Sequence, residues 1–128
     1  MGAETAIQGA LYIALSGIGL TVYDAAPQKD NGGNFPYIEV GQVVVSEFDT
    51  AGDIGFDFIA RIHTRSRSAA MKQTKDIQGQ IYARLHRGAL TITGHRLIDL
   101  QRQASDVTRV SDGSFHGVCE YRGLIEKA

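Results

Sequence analysis

The sequence predicts an α+β fold, an antiparallel sheet built of two hairpins with an N-terminal and a central helix packed on one face. Two segments carry apolar residues at helical spacing, and strand-like segments follow each of them. With 128 residues and 43% hydrophobic content, the chain is long enough for one domain with its own core. Neither a repeat nor a linker-like composition interrupts it, so a single domain over residues 1–128 is expected.

The first predicted element is a helix over residues 3–16. Its apolar residues recur every three or four positions, the period of one helical face: Ile7, Ala10, Leu11, Ala14 and Leu15. Gly17 and Gly19 are expected to end it. A short strand over residues 20–24 follows, and the Gly-, Asn- and Asp-rich composition of residues 27–34 predicts a loop.

The next two segments predict an antiparallel hairpin. Residues 37–48 are rich in β-branched and aromatic side chains, residues 49–53 have the composition of a turn, and residues 55–65 alternate between apolar and polar positions. One face of the second strand is expected in the core: Phe56, Phe58, Ala60 and Ile62. The other face carries polar side chains such as Asp57 and His63.

A second helix is expected next, capped by Ser66 or Ser68, because a serine oxygen can accept a hydrogen bond from a free N–H of the first turn. Its buried stripe has steps of three and four residues: Ala70, Thr74, Ile77, Ile81 and Leu85. Gln78 and Arg84 are expected to face away from that stripe, and Gly88 to stop the helix.

The last third of the chain predicts a second hairpin around Asp112-Gly113, a dipeptide that tolerates the positive φ of tight two-residue turns. Pairing outward from this turn sets three expected pairs: Val110 with Phe115, Ala104 with Tyr121, and Leu100 with Ile125. Arms of a dozen residues span about 40 Å, which is long for a small domain. Part of this hairpin is therefore expected to project or to meet a neighbour, unless a bulge shifts its faces.

The net charge of −1 excludes a strongly basic nucleic-acid binder, but it conceals an asymmetry. Residues 1–60 hold eight acids and one base, whereas residues 61–128 hold twelve bases and six acids. Such a difference between halves indicates an interaction surface. The alternative at this stage is two solvated faces of one domain.

No recognised catalytic, phosphate-binding or metal-binding pattern is present in the sequence. His116 and Cys119 are three residues apart, which on a strand places them on opposite faces. Cys119, the single cysteine, is expected to be a buried, inert thiol, and it allows no intrachain disulfide, which favours a reducing compartment. We therefore expect no catalytic residue, no metal and no cofactor.

Residues 5–23 carry no charge, so a signal peptide or a membrane span must be considered. No Lys or Arg precedes this run, and Gln, Ser, Thr and Gly residues dilute its hydrophobicity. The expectation is a soluble protein without a membrane segment.

Short motifs follow one another in a defined order along almost the whole chain. They are Ala10-Leu11-Tyr12, Val22-Tyr23-Asp24, Pro27-Gln28, Phe35-Pro36-Tyr37-Ile38, Ser66-Arg67, Ile81-Tyr82, Leu85-His86, Gly94-His95-Arg96-Leu97, Asp112-Gly113, His116-Gly117-Val118 and Tyr121-Arg122. In this order and spacing they resemble the tail-completion or tail-terminator family of long-tailed bacteriophages and prophages.

The resemblance implies a structural virion protein without catalytic residues. Subunits of this family form a ring, generally a hexamer, at the head-proximal end of the tail. The ring stops polymerisation of the tail tube protein and joins the tail to the head connector, and DNA passes through its lumen without specific binding. The implied location is the virion, with assembly in the host cytoplasm.

A closed ring requires a heterologous interface, in which one patch of a subunit meets a different patch of the next. A chain with an acidic and a basic half suits such a contact, so we expect acids of the first hairpin to approach bases around the second helix of a neighbour. The candidate interface residues are Glu47, Asp49, Asp53, Asp57, Arg65, Arg67, Lys72 and Lys75. A competing placement puts the acidic tip in the lumen.

Other functions remain open from the sequence. A head-completion stopper or a minor tail subunit would share the same partners at another level of the particle. A small cytosolic enzyme would need a concave polar site with a perturbed acid or base, and a nucleic-acid adaptor would show salt-dependent DNA binding.

Overall fold

A computed structural model of the chain describes residues 2–24, 35–50, 53–68, 70–88 and 90–128. In chain order the elements are α1 (Ala3–Ser16), β1 (Thr21–Tyr23), β2 (Tyr37–Thr50), β3 (Asp53–Ser66), α2 (Lys72–Leu85), β4 (His95–Arg109) and β5 (Phe115–Lys127). The strands form one sheet in the order β1-β2-β3-β5-β4, in which only β1 and β2 pair in parallel. The predicted α+β class is confirmed, whereas the predicted loop over residues 27–34 lies outside the described residues.

The two hairpins join into one sheet because β3 pairs with β5. This ladder runs from Gly55 opposite Glu126 to Ser66 opposite Phe115, so it occupies nearly the whole of both strands. The N-terminal strands β1, β2 and β3 therefore form one side of the sheet and the C-terminal strands β5 and β4 the other, and the two halves meet along the β3–β5 ladder. Charges that are far apart in sequence consequently become neighbours in space.

The core lies between one face of the sheet and the two helices. The predicted alternation of β3 is confirmed, since Phe58, Ala60 and Ile62 are buried on the helix side. Both helices bury the stripe that their spacing predicts: Ile7, Leu11 and Leu15 from α1, and Ile77, Ile81 and Leu85 from α2. Burial of each such side chain contributes about 1.5–3 kcal/mol. The helices leave the opposite face of the sheet uncovered in the described part of the chain.

The predicted register of the second hairpin was wrong by one residue near the turn and by more towards its ends. Val110 pairs with Ser114 through a 2.8 Å hydrogen bond from its N–H, so three residues rather than two form the turn, with Gly113 at φ +91°. That geometry is typical of a hairpin whose last turn residue is left-handed. The observed pairs are Arg109 with Phe115, Ala104 with Glu120, and Leu100 with Gly123.

Two bulges in β4 account for the remaining shift. The register breaks between Leu97 and Asp99 and again between Arg102 and Ala104. Each bulge adds a residue to β4 and turns the following side chains to the other face. Ile98, predicted in the core, is consequently 56% exposed, and Ala104 is exposed as well.

The predicted start of the second helix was also wrong. Ser66 is the last residue of β3 and its Oγ donates to Gln73, while Met71 occupies the N-cap position without a side-chain cap. Ala70, expected in the buried stripe, is exposed ahead of the helix. Gln78, expected to face away, is buried and donates from Nε2 to the Asp106 carbonyl at 2.9 Å. A buried amide is retained here because it satisfies a strand carbonyl.

Candidate subunit interface

The predicted acidic residues lie at the end of the sheet that is remote from the start of α2. Glu47 is exposed on β2, and it is on the helix side because it pairs with Phe56. Asp49 and Asp53 lie at the end of β2 and the start of β3, and their side chains are outside the described residues. At about 3.3 Å per residue, β3 separates this acidic end from Ser66 by roughly 40 Å.

Asp57, the fourth predicted acid, has a partner within the chain. It lies on the uncovered face and accepts two hydrogen bonds from Arg122, at 3.1 Å from Nε and 2.5 Å from Nη2. These hydrogen bonds raise the pKa of the Arg122 guanidinium. One row further along, Arg61 and Glu120 form a second cross-strand ion pair at 3.4 Å. The β3–β5 pairing therefore neutralises part of the charge asymmetry within the chain.

The four predicted basic residues are all found at the end of the sheet where α2 begins. Arg67 lies with its guanidinium carbon 4.1 Å from the centre of the Phe35 ring. Lys72 forms an exposed ion pair with Asp76 at 2.7 Å, and this hydrogen bond raises the lysine pKa. Arg65 and Lys75 complete the group, and Lys75 is exposed on α2.

Lys75 also lines a groove of about 420 Å³ between α2 and β4. The groove is lined by Met71, Lys75, Gln78, Gly79, Arg102, Ser105, Asp106 and Val107. Met71 is 41% exposed, so the groove offers apolar surface beside two bases. The first turn of α2 holds no acidic residue, which leaves the positive end of the helix dipole uncompensated there. The combination of apolar surface, two bases and a helix N-terminus favours binding of a segment in which an acidic residue has apolar neighbours.

A histidine pair on the uncovered face was missed by the sequence analysis. Nδ1 of His63 and Nε2 of His116 are 2.9 Å apart, and the rings are stacked with centroids separated by 5.1 Å. Alternation along each strand places both residues on the polar face. Only the pairing of β3 with β5 brings them together, and no local sequence signal sets that pairing.

Both imidazoles have lowered pKa values. Burial lowers the pKa of His116 from 6.5 to about 4, and the neighbouring Arg65 charge adds to this effect, while Asp106 opposes it. Burial also lowers the pKa of His63, against the opposing charge of Glu39. The folded protein therefore holds the pair in its neutral form at pH 7.

We expect this pair to make the fold sensitive to acid. In the unfolded chain the imidazoles titrate near 6.5, so the contribution of the pair is complete above that pH and is lost as the pH falls towards 4. After allowance for solvent screening, the free energy of unfolding should fall by about 1 kcal/mol more in the wild type than in His116→Gln between pH 7.5 and 5. Urea unfolding of both proteins measures this difference, and equal pH slopes would contradict it.

The remaining chemistry-bearing residues of the sequence analysis are the single cysteine and the residue types that bind metals. Cys119 is buried on the helix side, opposite to the face of His116, as predicted, and burial raises the pKa of its thiol to about 11. No group of three or more His, Cys, Asp and Glu side chains in the described ranges is placed to hold a metal ion. Of the helices described, none is long and apolar enough to span a membrane.

The fold defines a small two-layer α+β domain, in which two helices cover one face of a five-stranded sheet. The chain belongs to the tail completion protein gp17 family, whose model matches residues 6–126. It is thus a structural protein of the phage tail and a component of the virion, which confirms the resemblance inferred from the motifs.

One solved structure shows the same fold over nearly the whole chain. It is a chain of the virion of a native gene transfer agent particle, with a TM-score of 0.82 and 21% sequence identity, and the match covers 98% of each chain. A comparison with curated proteins gave no match.

Proposed function

We propose that the protein is a ring-forming tail-completion subunit that ends the tail tube and joins it to the head connector. The ring leaves a lumen through which DNA passes without specific binding. The family resemblance implies that this ring is a hexamer. Family membership supports a role in the tail. The observation that supports the ring is the separation, within one subunit, of the acidic end of the first hairpin from the basic residues near the start of α2, since β3 spans roughly 40 Å from Asp53 to Ser66. A head-to-tail contact between copies would bring two such groups together.

Within this proposal the eight predicted interface residues have unequal roles. Glu47, Asp49 and Asp53 form the acidic side, and Lys72 and Lys75 form the basic side. The other members contribute less to contact between copies: Asp57 has Arg122 as its partner, Arg67 packs on Phe35, and Arg65 lies beside the histidine pair.

Mass measurement of the purified protein, alone and mixed with the tail tube protein encoded beside it, tests the proposal. We expect a closed ring of one defined copy number, formed either alone or on the tube end, and bound to that end. A monomer that never binds tube protein would contradict it. Binding to head connector alone would instead identify a head-completion stopper.

A further inference from the structure

Among the described residues, the sheet has an open stretch, paired on one side alone, at each of its two edges. At one edge β1 pairs only with Tyr37–Glu39, so residues 43–50 of β2 pair with β3 alone among the described residues. At the other edge β4 is covered around Leu100 and Arg102, because Arg87 N–H donates to the Leu100 carbonyl and Arg102 N–H donates to His86 Nδ1. Residues 103–109 of β4 pair with β5 alone in the described part of the chain.

These two open stretches run in directions that allow them to pair between copies. Three successive antiparallel pairings separate β2 from β4, so the two strands run antiparallel within the sheet. Rotation about a ring axis preserves these directions from copy to copy. Residues 43–50 of one subunit therefore approach residues 103–109 of the next in the antiparallel sense, the more stable arrangement.

The positions of the two open stretches along the strand direction fit a closed sheet with tilted strands. Residues 43–50 lie opposite residues 60–53 of β3, whereas residues 103–109 lie, across β5, level with residues 61–66 of β3. Their centres are thus roughly 20 Å apart along the strands, at about 3.3 Å per residue. Four strands at about 4.8 Å give a width of about 19 Å. This stagger corresponds to a tilt of about 45°, near the 35–45° typical of closed barrels.

We propose that neighbouring subunits of the ring join by strand addition, in which residues 43–50 of β2 pair with residues 103–109 of β4 in the next copy. The inference rests on the proposed ring. The occupant of each open edge is a second copy of this chain, and charge complementarity supports it. Glu47 lies on the helix side of β2, as Lys75 and Arg102 lie on the helix side of the β4 edge, in the groove described above.

The faces of the two strands select the register. Paired residues share a face, and Val45 and Glu47 lie on the helix side of β2 as Ser105 and Val107 do on β4. The register that centres the two stretches places Val45 opposite Val107 and Glu47 opposite Ser105. On the uncovered face it places Ser46 opposite Asp106, and both of these residues are exposed.

Disulfide cross-linking between copies tests the proposed pairing. Directly opposite residues of an antiparallel pair have Cβ atoms about 4.5–5.5 Å apart, which suits a disulfide after small adjustment. Oxidation of Ser46→Cys/Asp106→Cys under the conditions of ring formation should give a ladder of covalent multimers that ends at the copy number of the ring. The matched control is Ser46→Cys/Val107→Cys, whose second cysteine lies on the other face, opposite Gly117, and should give at least tenfold less cross-link.

Two further pairs cover neighbouring registers, since Ala104 and Thr108 share the face of Asp106 and are also exposed. A ladder with Ser46→Cys combined with Ala104→Cys or Thr108→Cys would support strand addition at a register shifted by two residues. A wild-type ring without a ladder in any same-face pair, or with equal ladders in the control, would overturn strand addition and leave the proposed function intact. Absence of any ring in the wild type would overturn both.

Discussion

Gly123→Ala should lower the free energy of unfolding by about 2–3 kcal/mol, because a methyl group at this position overlaps the Phe58 ring. Gly123 pairs with Phe58 across β3 and β5, and a Cβ there would meet three carbons of that ring. Phe58 is only 1% exposed, so the ring has no solvent-filled space into which it can move. In a domain whose total stability is about 5–15 kcal/mol, a change of this size is large. Thermal or urea unfolding measures it directly.

The matched control is Gly79→Ala on the exposed face of α2. A Cβ at Gly79 meets nothing within 4 Å, and alanine is the better helix former by about 1 kcal/mol. This variant should therefore be as stable as the wild type or more stable. Phe58→Leu replaces the ring with a shorter side chain. It should therefore lower the free energy of unfolding less in the Gly123→Ala background than in the wild type. A Gly123→Ala protein as stable as the wild type, or additive double-variant energies, would show that the close packing of Gly123 on Phe58 is not a constraint.

Local periodicity was sufficient to predict the elements but not their pairing. The helix over residues 3–16 was predicted with the bounds that α1 has, because the side chains that define its buried face are neighbours in sequence. The register of β4 on β5 depends on whether the turn at Gly113 has two or three residues, and a one-residue difference changes every pair. The β3–β5 ladder, which creates the Gly123–Phe58 contact, has no local signal.

The candidate interface, too, could be predicted from the sequence only where it depends on residues that are close together in the chain. Charge counting identified the acidic first hairpin and the lysines of α2 as separate groups, and the structure places the turn of that hairpin at the end of β3 that is remote from Ser66, the residue after which the chain leads into α2. It also counted Asp57 among the candidate interface acids, although Arg122 binds it from a strand 65 residues away in sequence. Arg102 was not identified because it reaches the groove beside Lys75 only through the bulged path of β4.

Charge reversal at the acidic end should weaken ring formation strongly. In the proposed ring, Asp49→Lys or Asp53→Lys would bring a positive charge towards Lys75 of the neighbour, and like charges across an interface cost several kcal/mol when they are close. We expect the protein concentration needed for half-assembly to rise at least tenfold, equivalent to about 1.4 kcal/mol. Sedimentation or mass measurement at low salt follows the change. Glu4→Lys makes the same charge change on α1, away from the first hairpin, and should assemble normally.

The compensating reversal distinguishes contact between subunits from a general effect of charge. Lys75→Glu should restore assembly of Asp49→Lys or Asp53→Lys, since the pair is then re-formed with its signs exchanged. Lys72→Glu should restore it less well, because Lys72 already binds Asp76 in its own helix. Added salt should reduce both the loss and the rescue, because it screens exposed charges. Unchanged rings in the single aspartate variants would refute the charged interface and favour an acidic tip that faces the lumen, where no neighbouring lysine is close enough to sense the change.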